Sequence, residues 1–580
     1  MGELNSKICQ QLAVIYDGKQ LENSFQEIAD CLLKAMRLNS DATIPPPFKN
    51  HWSENDVIVI TYGDSIVKKE EKPLVTLKNF VDKYLAKTVN AVHILPFFPF
   101  SSDDGFSVLD YSSVNEALGD WSSITRIAED YRLMADLVIN HCSARSIWFE
   151  NFIKGEGKGH DYFFTAEPDV ALDKVVRPRT SPLLKQVMTK KGEKYVWCTF
   201  SHDQVDLDFS KPKVLLAFVK IIRQYLDAGV SIFRLDAIAF LWKELGTECI
   251  NLPQTHEVVR LLRTLIECAN ENTMLITETN IPNTQNLSYF GNANEAHAIY
   301  NFSLPPLLIY SLLTGNCQAL KNWLMRMPPA RNGTCYFNFI ASHDGIGLRP
   351  AEGLLSENEI SEMVNTIKSF GGLISWRSGE NAKQKPYEMN IALFDALKGT
   401  TKGEDQFQIV RFICAHAIML SLEGIPGIYI HSFLATENDY AKYNNTHHNR
   451  SINRHRWDVN TLNTQLDSNT SNQYKVLTKL KSLIAIRKKQ SAFHPNATQF
   501  VLQLGPNLFG VWRQCMQREQ SIFCIANVSN KEINLRLSEL NLIDTHCWWD
   551  LITNKQLVNI NAEYTLAPYQ MLWLTNSEKE

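Results

Sequence analysis

The 580-residue sequence has no basic excess: Lys and Arg total 58 against 62 Asp and Glu, a formal charge of −4. Phosphate backbones and anionic membrane surfaces attract proteins through such an excess, so its absence argues against nucleic-acid and membrane partners. No apolar run reaches the roughly 18 residues needed to span a bilayer. Met1 to Gln20 lacks the basic start and apolar stretch of a signal peptide. The 12 cysteines contain no CxxC pair and no Cys/His metal spacing, which speaks against a zinc module and a disulfide scaffold. They read as reduced, buried small hydrophobes, and a cytoplasmic location follows. There is also no low-complexity tract and no Gly-rich phosphate cradle of the GxxxxGK type. What is present is core material: 44% of the residues are hydrophobic and 10% aromatic, enough for a large buried interior.

Short β-prone apolar runs recur at Val57–Tyr62, Ala91–Phe97, Arg132–Ile139, Val230–Asp236, Thr273–Glu278, Ala298–Phe302, Tyr336–Ala341 and Pro426–Ile430. Most are followed by a longer segment with helical spacing, such as Val214–Leu226 or Glu257–Cys268. Eight strands alternating with helices predict an α/β chain built on a closed (β/α)8 TIM barrel. The intervals after the third and seventh strands are too long for one unit, so an insertion after strand 3 (142–205) and a long loop after strand 7 are expected. Both follow strand C-terminal ends, where barrel sites are built. An N-terminal helical segment (1–50) precedes the barrel (51–490). Short strands with a Gly505-Pro506-Asn507 turn signal predict a C-terminal antiparallel β domain (491–580).

Chemistry gathers at the strand ends. Asp236 closes the fourth strand, Glu278 the fifth and Asp344 follows the seventh, each at the rim of the same barrel. A lone acid in such a place is more often a helix cap. Three of them oppose folding by mutual repulsion unless the site uses them. A pair of carboxylates on either side of an acetal oxygen is what glycosidic exchange with retention requires: one ionised to attack, one protonated to release the leaving oxygen. Arg234, on the same strand face as Asp236, is expected to hold that acid ionised by lowering its pKa.

The strand ends Asp136–His141, Phe233–Ala237, Ile276–Asn280 and Ala341–Asp344 resemble, in order and spacing, the four signature blocks of the alpha-amylase superfamily of glycoside hydrolases. The resemblance implies that Asp236 is the nucleophile, Glu278 the general acid/base and Asp344 the transition-state stabiliser, with His141 and His343 bonding sugar hydroxyls. Ser101–Phe106 and Asn449–His455 narrow it to the sucrose phosphorylase type, in which an Asp and an Arg pair across the floor of the glucose pocket; Asp103 and Arg450 match them, and Phe106 is the apolar platform. A structural salt bridge is the alternative reading of that pair. Arg179 matches a loop cation for phosphate, with an exposed loop arginine as its alternative, and Tyr387 matches a residue shaping the acceptor side.

Three positions depart from the sucrose phosphorylase pattern: Asn280 replaces a His, Phe240 a Tyr and Glu388 a Gln, all around the acceptor. The stretch Arg234–Val259 and the long N-terminal segment are more similar to glucosylglycerate phosphorylases. The implied reaction is reversible phosphorolysis through a covalent glucosyl-enzyme. Its participants are small molecules: a glucoside, inorganic phosphate as a substrate, and an acceptor. A carboxylate-bearing acceptor needs cations or donors, for which Arg179, Arg177 and the Asn280 amide are candidates. Glu388 is then expected to point away or to pair with Lys385 or Arg377. No organic cofactor and no metal are implied, although Asn140 matches a position that helps bind calcium in alpha-amylases. The chain is expected to be a monomer or homodimer. The rival readings are a hydrolase or transglucosidase on the same scaffold and a non-catalytic relative.

Overall fold

The computed structural model describes residues 2–179, 181–378, 384–540, 542, 547–557, 559 and 561–576. Eight parallel strands form its centre: β1 Ile58–Thr61, β2 Ala91–Ile94, β3 Arg132–Leu137, β4 Val230–Leu235, β5 Met274–Thr277, β6 Ala298–Tyr300, β7 Cys335–Asn338 and β8 Ile425–Tyr429. They close in the order β1-β8-β7-β6-β5-β4-β3-β2. Closure is made at β1, where Ile58 registers with Gly427 of β8 on one side and Ala91 of β2 on the other. Strands buried on both faces carry continuous apolar runs rather than alternating ones, and that made all eight visible in the sequence.

Helices sheath the barrel. Pro212–Asp227 begins with proline in its first turn, where no N–H is missed, and buries Leu215, Phe218 and Ile222 against the strands. The N-terminal segment is a helical pair, Glu3–Ile15 and Phe25–Met36. Ser24 and Glu27 form a capping box at the start of the second helix. The first helix packs on Pro253–Ala269 and the second on Pro212–Asp227, so the pair is an outer layer of the barrel.

The insertion after β3 is tied at its neck by an antiparallel bridge between His141–Ser143 and Gln204–Asp206. It carries the helix Ile147–Lys154 and a small sheet of Thr165–Ala166, Leu184–Thr189 and Gly192–Trp197. The long loop after β7 has structure of its own. The helix Glu357–Ser369 leads to a three-stranded antiparallel sheet of Ile346–Gly347, Gln384–Asn390 and Leu373–Ser378. Beyond the barrel, Thr498–Val501, Leu508–Gln514, Ser521–Asn527, Met571–Thr575, Trp549–Asp550 and Lys555–Gln556 make an antiparallel sheet. Its Arg513 reaches back to the barrel, donating to Ser421 O at 2.8 Å.

Candidate active site

Arg234 points into the barrel from the last turn of β4, and Asp236, two residues on, shares its face. The Asp236 N–H bonds Leu137 O of β3, and the Glu278 N–H bonds Leu235 O of β4. Barrel hydrogen bonds therefore set the height of both acids. Arg234 Nη1 donates to Asp136 of β3 and, at 2.9 Å, to Asp236 Oδ1. Its Nη2 lies 3.9 Å from Glu278 Oε1. One buried guanidinium thus spans the two acids. Ala237 sits at φ 48°, in the left-handed region that alanine avoids, and donates its N–H to Glu278 Oε2 at 3.0 Å. A strained residue aiming a donor at a rim carboxylate was not visible in the sequence, because backbone conformation leaves no mark on an alanine.

Arg234 does lower the Asp236 pKa, as expected, but the expected net result, an acid held ionised below its ordinary value, is overturned by burial. Desolvation is the largest influence on Asp236 and raises its pKa well above the carboxylate range; Arg234 lowers it, and Glu278, Asp136 and Asp344 raise it again. Glu278 is raised chiefly by burial too, with Arg234 opposing. Asp344 goes the other way: Arg450, His343, Arg454 and Arg234 together outweigh its burial and hold it far below the carboxylate range. Burial thus favours the protonated form of both Asp236 and Glu278, and the direct bond from Arg234 favours the charge on Asp236 over Glu278.

Asp103, Phe106, His141, His343 and Arg450 all line the same cleft. The Asp103–Arg450 pair, however, does not form. Arg450 clamps Glu388 through two bonds, Nε to Oε2 at 3.1 Å and Nη2 to Oε1 at 3.0 Å, and its Nη1 is 2.5 Å from Asp344 Oδ1. The neighbouring Asp104 pairs with Arg454 at 2.6 Å, while Asp103 accepts from Gln204 Nε2 at 3.4 Å. Both aspartates have positive φ, 53° and 46°, so a tight 3-10 turn decides which side chain faces which arginine. The Phe106 ring stacks on His343 at 5.0 Å.

Burial lowers the pKa of His141 and takes that of His343 down to about 3. The ring nitrogens of His141 already meet Phe106 O, Gln204 Nε2 and Asn140 Nδ2. His343 Nδ1 is buried without a hydrogen-bond partner.

The residues expected around the acceptor, Arg179, Phe240, Asn280, Tyr387 and Glu388, also line the cleft. Arg179 lies over the Tyr387 ring at 5.3 Å. Glu388 pairs with neither Lys385, which meets Glu357, nor Arg377, which meets Glu352; buried beside the larger charge demand, it pairs with Arg450 and accepts the Gly345 N–H at 3.1 Å. Arg177 is exposed, its guanidinium donating to Ser181 O. Arg349, which the sequence reading passed over, lines the cleft as well.

Two places could be taken for metal sites. At Asn140, Lys243 Nζ lies 2.7 Å from Asn140 Oδ1 and 2.8 Å from Asp206 Oδ2, so an amine fills the space between these oxygens. His51, Glu267 and His297 cluster elsewhere, with ligand atoms within 4.8 Å of one another. His297 accepts the Leu275 N–H at Nδ1 and meets Glu267 at Nε2, and Arg263 donates to the same Glu267 oxygen at 3.0 Å. Those lone pairs are already taken, which suits a structural network better than a cation.

A family model described as alpha amylase, catalytic domain, matches residues 81–348. The chain is 40% identical to a glucosylglycerate phosphorylase of Spirochaeta thermophila, with 97% of each chain covered. It is 38% identical to a glucosylglycerate phosphorylase of Escherichia coli, covering 98% of this chain and 100% of that one. The crystal structure of sucrose 6F-phosphate phosphorylase from Thermoanaerobacter thermosaccharolyticum matches with a TM-score of 0.71 at 26% identity, covering 82% of this chain and 94% of that one. A closed barrel with acids from β4, β5 and the loop after β7 at one rim, matched over its length to such relatives, belongs to the alpha-amylase family, in its glucoside phosphorylase branch.

Proposed function

We propose that the protein is a retaining glucoside phosphorylase that converts glucosylglycerate and inorganic phosphate to α-glucose 1-phosphate and D-glycerate. The observation that carries the chemistry is the single Arg234 guanidinium between Asp236 and Glu278, which holds the two carboxyls at one rim. Asp236 attacks the anomeric carbon while Glu278 passes its proton to the departing glycerate oxygen, leaving a β-glucosyl ester on Asp236. Phosphate then attacks that carbon, the ester bond breaks, and Glu278 takes the phosphate proton. Asp344, ionised beside Arg450, faces the positive charge that develops on the sugar. The unpartnered Nδ1 of His343 is free to meet a sugar hydroxyl above the Phe106 platform.

The choice of glycerate rests on the near full-length relatives of that activity and on the cations of the acceptor side. The reaction needs no organic cofactor, and Lys243 in place of a cation at Asn140 supports a metal-free reading. Among the described residues no helix is long and apolar enough to cross a membrane. All 12 cysteines are free, which supports a reducing, cytoplasmic setting.

The acceptor assignment is tested in the synthetic direction, with α-glucose 1-phosphate as donor and D-glycerate, glycerol and fructose as acceptors. D-glycerate is expected to have the highest kcat/KM. A preference for fructose or glycerol would remove the glycerate assignment and leave the phosphorylase one.

A further inference from the structure

Most cations around the cleft have a carboxylate of their own. Arg234 has Asp136 and Asp236, Arg450 has Glu388 and Asp344, and Arg454 has Asp104; further out, Arg377 has Glu352 and Lys385 has Glu357. Two arginines that line the cleft, Arg179 and Arg349, have no ion-pair partner among the described residues. Arg349 follows the short strand Ile346–Gly347, whose Gly347 registers with Glu388, and the next N–H, that of Leu348, bonds Tyr387 O at 2.9 Å. Arg349 then leaves the strand in a 3-10 turn, lines the same cleft as Tyr387 and feels that ring's hydroxyl electrostatically, so it stands near the ring that carries Arg179.

Asn280 completes the group. Its Oδ1, an acceptor, is buried with no hydrogen-bond partner and suits an acceptor hydroxyl, while its Nδ2 is the atom that can donate to a carboxylate. A Cβ on Gly347 would lie 3.1 Å from Asn280 Nδ2, so the amide packs against the strand that leads to Arg349. Burial and the like charge of Arg377 both lower the Arg349 pKa, with Tyr387 and Glu352 opposing. An anion beside Arg349 would oppose both influences and favour its charged form.

We propose that Arg349 is a specificity-determining residue: with Arg179 and Asn280 it receives the carboxylate of the acceptor and selects an acid over a neutral polyol. The inference rests on the phosphorolytic reading and adds the residue that reads the acceptor's charge. A guanidinium fork matches a carboxylate by two parallel N–H bonds, whereas glycerol or fructose offers it no charge. Phosphate and glycerate use this side of the glucosyl-enzyme in opposite directions of one reaction, and two arginines with no ion pair of their own among the described residues suit an anion in both.

The test measures kcat/KM for D-glycerate and for glycerol, both with α-glucose 1-phosphate, in the wild type, Arg349→Gln and Arg349→Lys. The glycerate-to-glycerol ratio cancels the shared glucosylation step. It is expected to fall about 10- to 100-fold in Arg349→Gln and by less in Arg349→Lys, which keeps the charge but not the fork. A ratio within threefold of wild type in folded Arg349→Gln overturns the proposal. Should that variant not fold, the Arg349→Lys ratio decides, and no change there overturns it equally. The wild-type arm reports on the reaction itself: no preference for D-glycerate would reject the glycerate reading and this inference with it, whereas a preference that survives both substitutions rejects only Arg349.

Discussion

Arg234 touches Asp136 and Asp236 and stands 3.9 Å from Glu278, so which of the two rim acids carries charge depends on its position. Asp236→Asn keeps shape and bonding but removes the attacking charge, so turnover is expected to fall by ~10⁴-fold or more with the fold intact. Glu278→Gln cannot protonate a glycerate oxygen, yet fluoride leaves with little help. That variant is expected to lose the natural glucoside and still form a glucosyl-enzyme from α-glucosyl fluoride, detectable by mass spectrometry. Because burial raises the Glu278 pKa, its acid form persists above the ordinary carboxylate range. The alkaline limb of the wild-type kcat/KM profile is expected to report the loss of that proton and to vanish for the fluoride donor in Glu278→Gln; an unchanged limb would give Glu278 another role. At this scale the acids were legible because each ends an apolar run, where a charge stands out. The net pKa of Asp236 was not, since desolvation depends on everything packed around it. Nor was the choice between Asp103 and Asp104, adjacent identical residues that only the turn geometry separates.

The strand Gln384–Asn390 connects the loop after β7 to the catalytic rim through Glu388, which is 3% exposed and clamped by Arg450 and the Gly345 N–H. Glu388→Gln removes one charge of a buried pair and leaves Arg450 facing Asp344 alone. The loss is expected to cost about 2–4 kcal/mol of stability. Amide hydrogen exchange should accelerate in Gln384–Asn390 ahead of the barrel strands, and unchanged exchange there would show that the clamp does not hold the strand. The barrel strands were legible because their apolar runs are read without knowing their neighbours. This strand was not: its buried residues include Glu388 and Asn390, which look like loop residues until Arg450 and Ser375 are found bonding them.

Between barrel and C-terminal sheet lies Glu423, whose carboxylate accepts the Ala330 N–H at 2.7 Å, with burial pushing its pKa up to about 7 against the partial opposition of Arg513. A folded-state pKa above the unfolded one means that the folded protein holds an extra proton between about pH 4.5 and 7. Stability from this group is full below that window and is lost as pH rises through it. Glu423→Gln keeps the acceptor without the charge. It is expected to raise stability at pH 8 by about 1–3 kcal/mol, with no gain at about pH 4, below the window, in denaturant titrations at the two pH values. An equal effect at both would show that Glu423 is not the titrating group.

The whole molecule is read as a machine for exchanging glycerate and phosphate on one glucosyl carbon, and the most direct measurement supplies glucosylglycerate with and without inorganic phosphate and follows the sugar product by NMR. The expected result is α-glucose 1-phosphate formed in step with free glycerate, with turnover that saturates in phosphate and only slow release of glucose without it. Free glucose produced at the same rate with or without phosphate, or a β-configured sugar phosphate, would contradict the account.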